Sequence, residues 1–187
     1  MGMKQIKTVA VIGAGAMGQQ IAMSAALYGR NCGYRVFLCD SFPAAVEKAA
    51  KWAKEYLEGR VAKQRITQEE ANTIAENQII TQNIDHAAAQ ADIVIEAVIE
   101  KLEVKREVLG HISRLCAADT ILGTNSSNIV SSKLADAVED PYRLMNIHFF
   151  NPALVMQLVE LVKGPHTSQE AIDAAGMFIR SIGKSPI

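Results

Sequence analysis

Val9-Ala10-Val11-Ile12-Gly13-Ala14-Gly15-Ala16-Met17-Gly18 is an apolar run, reaching back to Ile6, that breaks into glycines and then takes on helical character as far as Leu27. Gly13, Gly15 and Gly18 stand in G-x-G-x-x-G spacing, directly after a strand and at the opening of a helix. Gly13 permits a tight turn, Gly15 lets the backbone approach a pyrophosphate, and Gly18 lets the helix pack close on its strand. The free N–H groups and positive end of such a helix hold phosphates. A bare G-x-G-x-x-G is weak evidence. Between strand and helix, with Ala14, Ala16 and Met17 as the backbone of the turn, it reads as a dinucleotide-binding site.

Arg35-Val-Phe-Leu-Cys39 is a second strand and ends on Asp40. A carboxylate there accepts hydrogen bonds from the adenosine ribose hydroxyls and repels a 2′-phosphate, which predicts NAD over NADP. The competing role for Asp40 is a helix cap beside Ser41. Helical segments follow over 44–62 and 68–76, the second opening on the capping box Thr67-Gln-Glu-Glu70. Further strands are predicted at 79–81, 93–98 and 120–124, with a helix over 103–115. A second capping box, Thr167-Ser-Gln-Glu170, starts a last helix that places Ile172, Ala175, Ile179 and Ile182 on one face and stops at Gly183. The alternation of near-continuous apolar strands with helices predicts an α/β, Rossmann-type, doubly wound fold on a mostly parallel sheet. The about forty residues between the second and third strands exceed an ordinary crossover and are predicted to form an inserted helical hairpin arm. It is either a decoration or a cover for the ligand site, with Lys51, Lys54, Arg60, Lys63 and Arg65 available for an anionic group.

The 187 residues suit one domain, 49% apolar and 21% charged, with a net charge of −1. The 19 basic residues are scattered among 20 acids, so no nucleic-acid-binding face is expected. Apolar runs are too short and interrupted to span a bilayer, and the one at Val9–Ile12 turns into glycines too soon for a signal peptide. Cys32, Cys39 and Cys116 show no C-x-x-C spacing. They read as free thiols in a reducing, cytoplasmic setting, and no metal site is expected.

Toward the other end, Arg143-Leu-Met-Asn-Ile-His148-Phe-Phe-Asn151-Pro152 and Ala153-Leu-Val-Met-Gln-Leu-Val-Glu160 read as two strands with Asn-Pro as the break. Folding back, they bring a histidine to a carboxylate. The carboxylate orients the ring and favours its protonated form, which makes a proton-transfer pair. Simple ion pairing is the competing role. Thr124-Asn125-Ser126-Ser127-Asn128 puts short polar side chains at a strand's carboxyl end, where open α/β sheets bind ligands, or else caps the next helix.

Taken together, Gly13–Gly18, Asp40, Ile95-Glu-Ala-Val-Ile-Glu100 with Lys105, Asn125-Ser-Ser127, His148-Phe-Phe-Asn-Pro152 and Glu160 make the whole chain resemble the NAD-binding domain of the 3-hydroxyacyl-CoA dehydrogenase family. The resemblance implies oxidation of a 3-hydroxyacyl-CoA thioester to the 3-ketoacyl-CoA, or the reverse, with NAD(H), in fatty acid or hydroxybutyryl-CoA metabolism. It implies His148 as the base, Glu160 as its orienting carboxylate, and Ser127 as the residue that hydrogen-bonds the reacting oxygen beside the nicotinamide. Glu100, Lys105 and Asn151 fall at cofactor contacts, Ala97 in the same pocket, and Lys63 at a CoA contact on the helical arm. Two departures stand out. Tyr28-Gly-Arg-Asn-Cys-Gly-Tyr34 is longer than the family's link and is expected to be a tolerated surface insertion. The family's helical C-terminal domain, which closes the substrate site, supplies an asparagine and forms a homodimer, is absent from residues 1–187. NAD binding with little turnover is therefore expected, together with exposed apolar surface.

Two other readings compete. One is a β-hydroxyacid dehydrogenase acting on a small free acid through a lysine, which leaves His148 and Glu160 unexplained. The other is a non-catalytic dinucleotide-binding module.

Overall fold

The computed structural model describes residues 5–187. Strand β1 (Thr8–Ile12) lies at its centre. Period-two alternation sends Val9 and Val11 into one core and Ala10 and Ile12 into another, so the strand is buried on both faces. The same holds for β2 (Arg35–Cys39), where Val36 and Leu38 oppose Phe37 and Cys39.

The remaining strands are β3 (Gln78–Thr81), β4 (Ile93–Glu96), β5 (Ile121–Thr124), β6 (Leu144–Phe149), β7 (Leu158–Val162) and the two-residue β8 (Ser185–Pro186). They form one eight-stranded sheet in the order β3-β2-β1-β4-β5-β6-β7-β8. Every neighbouring pair is parallel except β6–β7. The first six strands give the doubly wound order 3-2-1-4-5-6, with a topological switch between β1 and β4.

Helices α1 (Ala16–Tyr28), α2 (Pro43–Ala62), α3 (Gln68–Asn77) and α6 (Gln169–Ser181) cover one face, and α4 (Ile84–Gln90) and α5 (Leu102–Leu115) the other. The first capping box forms as predicted, Thr67 accepting from Glu70 N and Glu70 returning the bond to Thr67 N. Helix α6 ends in a Schellman motif: Gly183 N donates to Arg180 O and Lys184 N to Ile179 O, with Gly183 at φ +73°. No helix among the described residues is long and apolar enough to cross a membrane.

Several expectations need correction. The arm packs into the body of the domain rather than over the cleft. Ala49, Ala53 and Leu57 of α2 and Ala71 and Ile74 of α3 are buried in the core they share with α1. The link after α1 is exposed at residues 31–33, as expected of a surface insertion, but it is anchored at both ends. It forms a 3₁₀ turn at Arg30–Cys32, and Arg30 reaches Glu70 of α3 at 3.2 Å. Tyr34, 6% exposed, packs 5.8 Å from the Phe178 ring and shares a 2.6 Å hydrogen bond with Ser181 of α6. The second capping box is also displaced: Ser168 caps α6, because the Thr167 hydroxyl instead donates to Leu144 O and accepts from Gly164 N. Strand β4 stops at Glu96 rather than running to Val98, because the Glu96 carboxylate takes the Val98 N–H at 2.7 Å. Helix α4 was not anticipated.

Candidate functional site

The carboxyl ends of β1, β4, β5 and β6 meet at one edge of the sheet, and the glycine-rich turn lies over it. Gly13 sits at φ +106°, and a Cβ there would stand 2.6 Å from Ala97 O. A Cβ on Gly18 would come within 1.8 Å of Gly13 O, so the helix approaches the turn as closely as only glycine allows. Gly15, the N-cap of α1, has nothing within 4 Å of such a Cβ, and no side chain caps the helix. The first N–H groups of α1 thus face open space, the geometry that receives a phosphate. Asp40 closes the turn from the side: its carboxylate accepts from Ala14 N at 2.8 Å and from Phe42 N at 3.0 Å. It does not cap α2, whose N-cap is Phe42. These features fit a dinucleotide with its pyrophosphate on α1.

Beside the turn lies a cleft of about 330 Å³ that gathers Met17, Ala97, Glu100, Lys105, Ser127, His148 and Asn151 from the predicted set, and with them Val98, Asn125, Phe149 and Phe150. On the antiparallel β6–β7 ladder His148 is directly opposite Glu160, and the ring Nδ1 lies 2.7 Å from the carboxylate. An ionised carboxylate only accepts, so Nδ1 carries the proton, and in the neutral ring Nε2 is then the nitrogen with the free lone pair. The Phe150 ring flanks the imidazole at 4.9 Å. The Glu160 side chain is only part-buried, with 42% of its surface exposed. Ser127 is exposed to the cleft, and its hydroxyl accepts from Asn128 Nδ2 at 3.2 Å.

Beneath the cleft is a charged web that sequence reasoning only half found. Lys105, 1% exposed, donates to Glu96 at 2.7 Å and to Val98 O at 3.3 Å, and lies 3.3 Å from Glu100. Glu96, without exposed surface, also accepts from Thr124 Oγ1 at 2.7 Å. Burial pushes the Glu100 carboxyl up, but the Ser126 hydroxyl and the Lys105 ammonium outweigh it and hold the group below the usual carboxylate range. Glu96 was quoted in the sequence motif without a role. The signal was an acid at the end of an apolar strand, nine residues before a lysine. Burial, and after it the charge of Asp40, pushes the Cys39 thiol up to about 12, so this cysteine stays protonated.

Lys63 is not brought into the cleft. It is the exposed C-cap of α2. Of the other basic residues on the arm, Lys51 and Lys54 pair along α2 with Glu55 and Glu58, and Arg60 leans on Tyr56.

Residues 8–187 match the family model described as 3-hydroxyacyl-CoA dehydrogenase, NAD binding domain. The chain is 38% identical over 185 residues to a 3-hydroxyadipyl-CoA dehydrogenase of Escherichia coli (strain K12), covering 99% of this chain and 38% of that protein. It is 33% identical over 189 residues to a probable 3-hydroxyacyl-CoA dehydrogenase of Caenorhabditis elegans, covering 99% of this chain and 62% of that one. Its fold superposes on a crystal structure of (S)-3-hydroxybutyryl-CoA dehydrogenase from Ralstonia eutropha with a TM-score of 0.91 at 33% identity, over 98% of this chain and 63% of the other. The chain thus spans less than two thirds of the length of each of these relatives.

Proposed function

The chain belongs to the NAD-binding domain family of the 3-hydroxyacyl-CoA dehydrogenases, and from that premise we propose that it serves NAD-dependent interconversion of a 3-hydroxyacyl-CoA and its 3-ketoacyl-CoA. The observation that carries the reading is the 2.7 Å His148–Glu160 pair opening onto the cleft that also holds Ser127 and Met17 of the glycine-rich turn.

In this reading His148 Nε2 takes the proton of the substrate hydroxyl while Glu160 holds Nδ1–H and favours the imidazolium that forms. Ser127 donates its hydroxyl proton to the reacting oxygen and keeps it in reach of Nε2. Bound NAD supplies the hydride acceptor. The glycine-rich turn from Gly13 to Gly18 holds the pyrophosphate, Asp40 the adenosine ribose, and Ala97, Glu100, Lys105 and Asn151 the nicotinamide side. Reverse reduction uses the same groups, with His148 returning the proton. Lys63, on the exposed end of α2, contacts the CoA portion outside the cleft. The reading places the reaction in fatty acid or hydroxybutyryl-CoA metabolism. A cytoplasmic setting is supported by Cys32, Cys39 and Cys116 forming no disulfide.

The test is a fluorescence titration of the chain with NADH, followed by acetoacetyl-CoA. The expected result is a rise on binding, with at most a slow decay once the thioester is added. A rise that never decays leaves a dinucleotide-binding module without turnover of its own.

A further inference from the structure

We infer that Asn125 is a positioning residue for the His148 base: its side-chain oxygen holds the end of the strand that carries the imidazole. The inference deepens the reading of His148 as proton acceptor and rests on it.

β5 pairs with β6 through Leu122↔Leu144, Gly123↔Met145 and Thr124↔Asn146, and there it ends. β6 continues through Ile147, His148 and Phe149, paired on its other side with Leu161, Glu160 and Val159 of β7. His148 therefore sits on a segment with a ladder partner on one side only. On the open side, Asn125 Oδ1 accepts the Phe149 N–H at 2.9 Å. The amide side chain thus stands in for the carbonyl that position 126 would have offered had β5 continued in the same parallel register. Its own backbone is tied down, with Asn125 N donating to Glu96 O at 2.8 Å. Among the described residues its Nδ2 has no hydrogen-bond partner, so the Phe149 N–H alone fixes which way the amide points. Asn125 and His148 both line the cleft, on either side of the gap that this bond spans. A residue that holds the backbone next to the base controls where the ring stands.

The test uses Asn125→Ala and Asn125→Asp, because aspartate keeps an acceptor for the Phe149 N–H and alanine does not. Hydrogen exchange of the Phe149 amide and the NMR signal of the His148 Nδ1 proton bonded to Glu160 are read in the intact chain. In Asn125→Ala the Phe149 amide is expected to lose protection by roughly tenfold, the factor one ordinary hydrogen bond is worth, and the ring proton to broaden or vanish. Asn125→Asp should retain both. Unchanged protection and an unchanged ring proton in the alanine variant would overturn the inference. So would loss of both in the aspartate variant, and that outcome decides the matter even if the alanine variant fails to fold. Neither readout depends on turnover, so failure here is distinct from failure of the proposed reaction.

Discussion

His148 owes its partner to register. Twelve residues separate it from Glu160, yet the antiparallel ladder sets the two side by side. If the pair moves the proton, His148→Gln should lower turnover by about a hundred- to ten-thousand-fold, the usual worth of a positioned base. Glu160→Gln should lower it as well, while NADH affinity stays nearly intact in both. Kinetics and fluorescence titration of the same preparations check this, and near-normal turnover in His148→Gln would rule out the mechanism. Glu100 gives a pH prediction. Its carboxyl is held low in the folded protein, so its contribution to stability is full above the ordinary carboxylate value and fades as pH falls through the folded one. With the side chain 41% exposed, solvent screens the effect, so a small one is expected. Urea unfolding of the protein and of Glu100→Gln should show a gap near about pH 7 that closes as pH falls below the ordinary carboxylate range. A gap that persists unchanged would assign the role of Glu100 to shape rather than charge.

The opening of α1 shows what one element contributes and how much of it could be read in advance. The three glycines differ in what confines them. Gly15→Ala adds a methyl group to open space at φ −69°, so stability should stay within about 0.5 kcal/mol, the range of an unconstrained surface change. The same methyl stands where a phosphate approaches, so NADH binding should weaken by at least about tenfold, the factor that 1.4 kcal/mol of lost binding produces. Gly18→Ala drives a Cβ into Gly13 O and should destabilise the fold itself. Thermal melts beside NADH titrations separate the two outcomes. Elements with strong local signals were legible: β1 and its glycines, the Thr67 cap, and the apolar β6; its partner β7 begins only at Leu158, since residues 153–157, read as strand, form a turn and irregular chain after Asn151-Pro152. Helix α4 was not legible, because it has seven residues and buries only Ala87 and Ala88, too little for a helical stripe. The Thr167 cap was misplaced because a sequence cannot show that Leu144 O competes for that hydroxyl. The link at 29–34 is on the surface as expected, but the anchoring of Tyr34 was not legible, because its partner Ser181 lies in α6, 147 residues away along the chain.

Across the molecule, the cleft is the place where four elements are tied together by charge rather than by apolar packing. Glu96 at the end of β4 binds Lys105 of α5, Thr124 of β5 and the Val98 N–H, while Ser126 and Glu100 continue the chain of contacts toward Asn146 of β6 through Ser126 O. The backbone ladder already sets Glu96 beside Thr124 and Thr124 beside Asn146, and the web adds side-chain bonds across the same ends. A buried pair of this kind costs more when broken than when absent, because the remaining charge has lost its solvent and gained no partner. Lys105→Met should therefore destabilise the protein by about 3–5 kcal/mol, since it leaves the Glu96 side chain without exposed surface and without its cationic partner. The double variant Glu96→Gln with Lys105→Met should recover much of that loss, because a neutral amide can still accept from Val98 N or Thr124 Oγ1. Urea unfolding of the two single variants and the double variant, read as a thermodynamic cycle, checks the coupling. Additive losses would mean that Glu96 and Lys105 do not depend on each other, and that the ends of the strands are positioned by the backbone ladder and the apolar cores alone.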